Sequence, residues 1–147
     1  MALDLSDFAK TLVSSMSEAV ILSDADGVIQ WWNSGSERLF GYSSIEAIGQ
    51  SLDIIIPENL RNRHWEGFHK TMQTGKSRYG VGDLLSVPAI RKDGGRISVE
   101  FTIVLFRDRT GVVTGIAAVM RDVTKQFQEM RTLRKQLADC MAATRQS

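Results

Sequence analysis

The chain has 147 residues, 43% of them hydrophobic and 24% charged, with a net charge of +1. That length fits one domain with a core large enough to need no covalent staples, and the near-neutral balance excludes a general polyanion-binding surface, so nucleic acid is not expected as a partner. The single cysteine, Cys140, cannot form an internal disulfide, which points to a reducing, cytoplasmic setting; the acidic start (Met1 to Asp7) does not read as a signal peptide, and no apolar run approaches the ~20 residues of a membrane helix.

In chain order, residues 4–17 place Leu5, Phe8, Ala9, Leu12, Val13 and Met16 three and four apart, the pattern of an amphipathic helix. Residues 19–24 read as a short buried strand, Asp24-Ala25-Asp26-Gly27 as a turn and residues 28–32 as the returning strand of a hairpin. Of Trp31 and Trp32, alternation sends one into the core. Asn33 or Ser34 caps a short helix carrying Leu39 and Phe40, which Gly41-Tyr42-Ser43 stops. Ser43 or Ser44 then caps a second short helix over Ile45, Ala47 and Ile48, ended by Gly49. A longer helix is predicted over residues 57–74. Pro57 suits its first helical position, and Leu60, His64, Phe68 and Met72 (or Thr71) share one side.

Three strands follow, over about residues 79–91, 96–106 and 112–121, joined by turns at Lys92-Asp93-Gly94-Gly95 and Arg107-Asp108-Arg109-Thr110-Gly111. The middle one alternates cleanly, with Ile97, Val99, Phe101, Ile103 and Leu105 on one face. Residues 123–144 are helical. Val123, Met130, Leu137 and Thr144 fill one heptad position and Gln126, Leu133 and Cys140 the other, a coiled-coil seam of modest quality. The order predicts an α+β fold, a five-stranded antiparallel sheet with helices on one face. The expected division is an N-terminal helix over residues 1–17, a sensory domain over 18–122 and a C-terminal signalling helix over 123–147.

No enzyme is indicated. The chain has no G-x-S-x-G, no Walker-type loop and no metal-ligand cluster, and Gly80-Val81-Gly82 is too short to cradle a phosphate. His64 and His69 are five residues apart, about 140° around a helix, so they do not form a two-histidine metal site.

The series Asp24-Ala25-Asp26-Gly27-Val28-Ile29, Trp32-Asn33, Glu37-Arg38-Leu39-Phe40-Gly41-Tyr42, Ile48-Gly49-Gln50-Ser51-Leu52, Pro57, Arg91-Lys92-Asp93-Gly94 and Arg121-Asp122-Val123-Thr124 resembles the PAS superfamily over about residues 12–124. That resemblance implies a ligand pocket between the inner sheet face and the central helices. It also implies a surface pair of Glu46 with Lys92, and a coupling element, Asp122 with Thr124, between the last strand and the output helix. The stretch from Ile56 to Phe68 is similar to the segment of heme-binding PAS sensors that carries the proximal histidine, which would make His64 the iron ligand. The implied cofactor-binding set is His64, Phe68, Leu85, Phe101, Ile103 and Ile116. On the distal side the sequence departs from the oxygen-sensor pattern, since Leu85 stands where those sensors carry an arginine and Asp83 where related sensor enzymes carry a methionine. Without a donor there, carbon monoxide or nitric oxide would be easier ligands than stable oxygen. Light-driven flavin adduct chemistry is excluded, because Asn33-Ser34-Gly35-Ser36-Glu37 contains no cysteine. Non-covalent flavin stays open as an alternative cofactor. So do an apolar organic ligand and a cofactor-free dimerisation module. The expected partners are a second copy, through the flanking helices, and a downstream kinase, cyclase or regulator. The chain is either a fragment of a larger receptor or a free-standing protein.

Overall fold

The computed structural model describes residues 2–77 and 85–146. The predicted strand over 79–91 is therefore seen from Leu85 onward, and Gly80-Val81-Gly82 and Asp83 lie outside the described residues.

Among the described residues five α-helices and five strands run in the order α1 (Leu5–Ser15), β1 (Ala19–Asp24), β2 (Ile29–Trp32), α2 (Ser34–Phe40), α3 (Ser44–Ala47), α4 (Arg61–Thr74), β3 (Leu85–Ile90), β4 (Arg96–Arg107), β5 (Val113–Asp122) and α5 (Thr124–Gln146). The strands form one sheet in the order β2-β1-β5-β4-β3, antiparallel at every junction. Because side chains alternate along a strand, the pairing decides which residues meet on the inner face. Leu85 lies opposite Phe101 and Phe101 opposite Met120. Ile103 lies opposite Ala118 and Ala118 opposite Ile21. The β3–β4 register runs without a shift from Leu85 to Ile90, so no bulge at Pro88 turns Leu85 away.

The core gathers on this face. Trp32 from β2 stands 5.6 Å from Phe40 of α2, centroid to centroid, while Ala47 of α3 and Ile55 complete the layer above Ala19, Ile21 and Val99. Burying a ring such as Phe40 contributes roughly 1.5–3 kcal/mol. Trp31, next along β2, is half-buried and pairs with Leu22.

Asn33 ties the N-terminal end together. It caps α2 by accepting from Ser36 N–H at 2.9 Å, and it also accepts from Val20 N–H at 2.8 Å. Its amide donates to Val13 O at 2.8 Å and Glu18 O at 3.0 Å. A side chain at position 35 would collide with the Glu18 carbonyl, 2.1 Å from an ideal Cβ, so only glycine lets α2 sit this close to β1. Ser43 caps α3 in a reciprocal box with Glu46.

Two features differ from the sequence pattern. Pro57 does not open an α-helix. Its ψ of 139° is extended, and it leads a 3-10 turn over Glu58–Leu60, with α4 beginning at Arg61. A further 3-10 turn, Leu52–Ile55, is capped by Ser51 in an apolar run that has no helical period to announce it. Leu5, Phe8 and Leu12 of α1 and Phe127, Met130, Leu133, Leu137 and Met141 of α5 are exposed, while Val13 of α1 is half-buried.

Candidate functional site

Between the inner sheet face and the segment from Leu52 to Thr71 lies a cavity of about 640 Å³. All six residues singled out from the sequence, His64, Phe68, Leu85, Phe101, Ile103 and Ile116, line it. α4 contributes His64 and Phe68 at i, i+4 spacing; β3, β4 and β5 contribute the rest through the register above. Ile21, Ala118 and Met120 extend the apolar floor, and Arg63 stands among the lining residues. Volume and lining fall in the ordinary range for a small-molecule or cofactor pocket.

The helix that presents His64 is fixed by its neighbours. Trp65 donates its indole N–H to Asp53 Oδ1 at 2.7 Å, and Arg61 donates to the Ile56 carbonyl at 3.1 Å and the Asp53 carbonyl at 3.3 Å. These bonds pin the first two turns of α4 to the Leu52–Ile55 turn. His64 itself packs edge-on against Trp65, centroids 4.7 Å apart, and tilted against Phe68 at 5.8 Å. Burial pushes its pKa below the ordinary histidine value; the Asp53 carboxylate opposes this and His69 adds to it. The imidazole is therefore neutral at pH 7, and its Nδ1 is buried with no hydrogen-bond partner. His69 is exposed and stacks on Trp65 at 5.8 Å.

The sequence reading missed Ser23. It lines the same cavity, 2% exposed, and its hydroxyl oxygen also has no partner. The available signal was the alternation Ala19, Ile21, Ser23, which sets a polar residue in an inner-face position of β1.

The junction of β5 with α5 is built by Asp122 and Thr124. Thr124 donates both its backbone N–H (2.9 Å) and its hydroxyl to Asp122 Oδ1. The same hydroxyl oxygen accepts from Ser98 N–H of β4 at 2.9 Å, and Val123 N–H donates to the Ser98 carbonyl at 2.9 Å. The start of α5 is thus hydrogen-bonded to a central strand whose next inner residues, Val99 and Phe101, line the cavity.

Glu46 and Lys92 form the expected surface ion pair. The Lys92 ammonium, with the Ser43 N–H, holds the Glu46 carboxyl down to about 2. The pair is exposed, so its energetic weight is small. Among the described residues no three His, Cys, Asp or Glu side chains cluster as a metal site, and no helix is long and apolar enough to cross a membrane.

The fold is an α+β module with an apolar cavity between its sheet and its central helices. The family model described as "PAS domain" matches residues 17–125, and the chain belongs to that family. It is 28% identical over 138 residues to "Sensor protein FixL" of Bradyrhizobium diazoefficiens, covering 94% of this chain and 27% of that protein. It is 33% identical over 97 residues to "Oxygen sensor protein DosP" of Escherichia coli, covering 65% of this chain and 12% of that protein. The chain thus spans about a quarter or less of the length of these relatives. A solved PAS domain from Colwellia psychrerythraea superposes with a TM-score of 0.72 at 23% identity, covering 83% of this chain and 99% of that one.

Proposed function

We propose that this chain is the sensory module of a cytoplasmic signalling protein, that it holds heme through His64, and that it passes the state of the cavity to α5 through Asp122 and Thr124. The observation that carries the reading is His64 itself, a neutral imidazole on the wall of an apolar cavity, with a buried nitrogen no residue satisfies. These residues fit a flat, mostly apolar cofactor held through one nitrogen. The likeness of the Ile56-to-Phe68 stretch to heme-binding PAS sensors supports it, as does the relative named as an oxygen sensor.

Bound heme would supply an iron that takes diatomic gases or changes oxidation state. His64 would donate its lone pair. Phe68, Leu85, Phe101, Ile103 and Ile116 would pack the ring and exclude water. A change in the cavity would alter how Phe101 and its neighbours on β4 sit, and the Ser98–Thr124–Asp122 bonds would carry that change to α5. Such a relay requires the ligand to bind two states of the junction with different affinity. The exposed apolar residues of α1 and α5 support a second copy as one partner, with a kinase, cyclase or regulator downstream.

An absorption titration with hemin tests the cofactor. The parent is expected to give a Soret band of one-to-one stoichiometry that His64→Ala weakens or shifts. Absence of a specific band in the parent sinks the heme reading and leaves an apolar organic ligand or a cofactor-free module.

A further inference from the structure

Ser23 is a polar point in the cavity that the heme reading does not use. On the inner face of β1 it stands among apolar side chains: Ile116 lies directly across on β5, and Ile21, Ala118 and Ile103 form the adjoining row. Its hydroxyl oxygen is buried without a partner. Among the described residues the other buried serine and threonine hydroxyls are satisfied. Ser36 donates to the Val20 carbonyl at 3.0 Å and to Asn33 Oδ1 at 2.9 Å. Thr71, which also lines the cavity, returns its hydroxyl to the Gly67 carbonyl one helical turn back, at 2.9 Å. A strand places no carbonyl one turn back within reach of Ser23, and the β1–β2 register shifts between Leu22 and Ser23. Among the described residues three side chains carry a buried, unpartnered polar atom, Ser23, Trp31 and His64, and two of the three line this one cavity. Native folds leave few such groups, because each keeps its full desolvation penalty until something hydrogen-bonds it.

We propose that Ser23 is a ligand-recognition residue whose hydroxyl hydrogen-bonds a heteroatom on the side of the ligand that meets the sheet. The cavity then selects molecules with an apolar body and an oxygen or nitrogen at that place. The inference rests on the cavity being the sensory pocket, and not on heme being its occupant.

The test uses the 147-residue chain and two near-isosteric probes, 2-naphthol and 2-methylnaphthalene, titrated by fluorescence into the parent, Ser23→Ala and Ser23→Thr. The ratio of the two affinities is compared between variants, which cancels the difference in probe hydration. Ser23→Ala is expected to lower the preference for naphthol about three- to tenfold, the worth of one uncharged hydrogen bond. Ser23→Thr, which keeps the hydroxyl, is expected to retain it. The ligand-free melting temperature of Ser23→Ala is expected to equal or exceed that of the parent, since no bond is lost. An unchanged preference in Ser23→Ala, binding of neither probe, or a lower melting temperature overturns the proposal. Hemin run in parallel separates the two readings. Naphthol selectivity lost in Ser23→Ala without any hemin binding removes heme alone, and His64-dependent hemin binding with unchanged naphthol selectivity removes Ser23 alone.

Discussion

Thr124→Val isolates the junction on which the proposed relay depends. Valine keeps the shape of threonine and leaves the two main-chain bonds in place, Thr124 N–H to Asp122 Oδ1 and Val123 N–H to the Ser98 carbonyl. It deletes the hydroxyl that accepts from Ser98 N–H at 2.9 Å and donates to the exposed Asp122 carboxylate, where water replaces it. The Ser98 amide is part-buried, so losing its partner costs about 1 kcal/mol, near the middle of the range for one such bond. That figure corresponds to roughly a fivefold rise in local opening. Hydrogen exchange read amide by amide measures it. Ser98 and the first turn of α5 are expected to lose about fivefold in protection, while β1 and α2 keep theirs and ligand affinity stays near the parent value. Unchanged protection at Ser98 would mean the hydroxyl is no link between β4 and α5. A uniform loss across the sheet would mean it is merely a stability bond.

Three further outcomes follow from named contacts. Asn33→Ala removes a buried cap and four other hydrogen-bonded groups, and is expected to cost about 3–5 kcal/mol in urea unfolding, from a cap near 1 kcal/mol plus buried groups left unsatisfied; a loss below about 1 kcal/mol would contradict the role given to it. Gly27→Ala places a Cβ 2.2 Å from the Trp65 ring at a φ of +78°, so it is expected to lower the melting temperature and alter Trp65 fluorescence, and a silent substitution would refute the close approach. For His64 the sign follows from its lowered pKa: the unfolded chain binds the proton more readily, so stability is full above about pH 6.5 and falls as pH drops toward the folded value. His64→Phe is expected to flatten that limb of the stability–pH curve, and an identical slope in the variant would show that another group titrates there.

Glu46 behaves oppositely to a core group in magnitude but obeys the same linkage. Its folded pKa of about 2 lies below the ordinary 4.5, so any stability it adds is present above about pH 4.5 and lost as pH falls toward 2. Glu46→Gln is expected to match the parent at the acid end of that window and to differ only above it.

Much of this architecture is legible in the sequence for local reasons. The period of two in β4 and the glycine-bearing turns place the strands, and the i, i+4 spacing of His64 and Phe68 places both on one wall of the cavity. The 3-10 turn at Leu52–Ile55 was not legible, because three-residue periods leave no lasting hydrophobic pattern and its stability comes from Ser51 and from Trp65, twelve residues on from Asp53. Ser23 escaped for a related reason. Alternation along β1 turns Ser23 inward, but only the cavity facing it shows that its hydroxyl is left without a partner. On α5, heptad spacing marked Met130, Leu133 and Leu137, while Phe127 and Met141 lie outside the predicted seam and widen the exposed apolar face.

Heme held through His64 is the core of the proposed function. The most direct measurement is imidazole rescue: hemin absorption spectra of the parent, His64→Gly, and His64→Gly with added imidazole. A Soret band is expected in the parent, with its loss or shift in His64→Gly and its return when free imidazole takes the vacated place. Identical spectra for the parent and His64→Gly, with no response to imidazole, would contradict it.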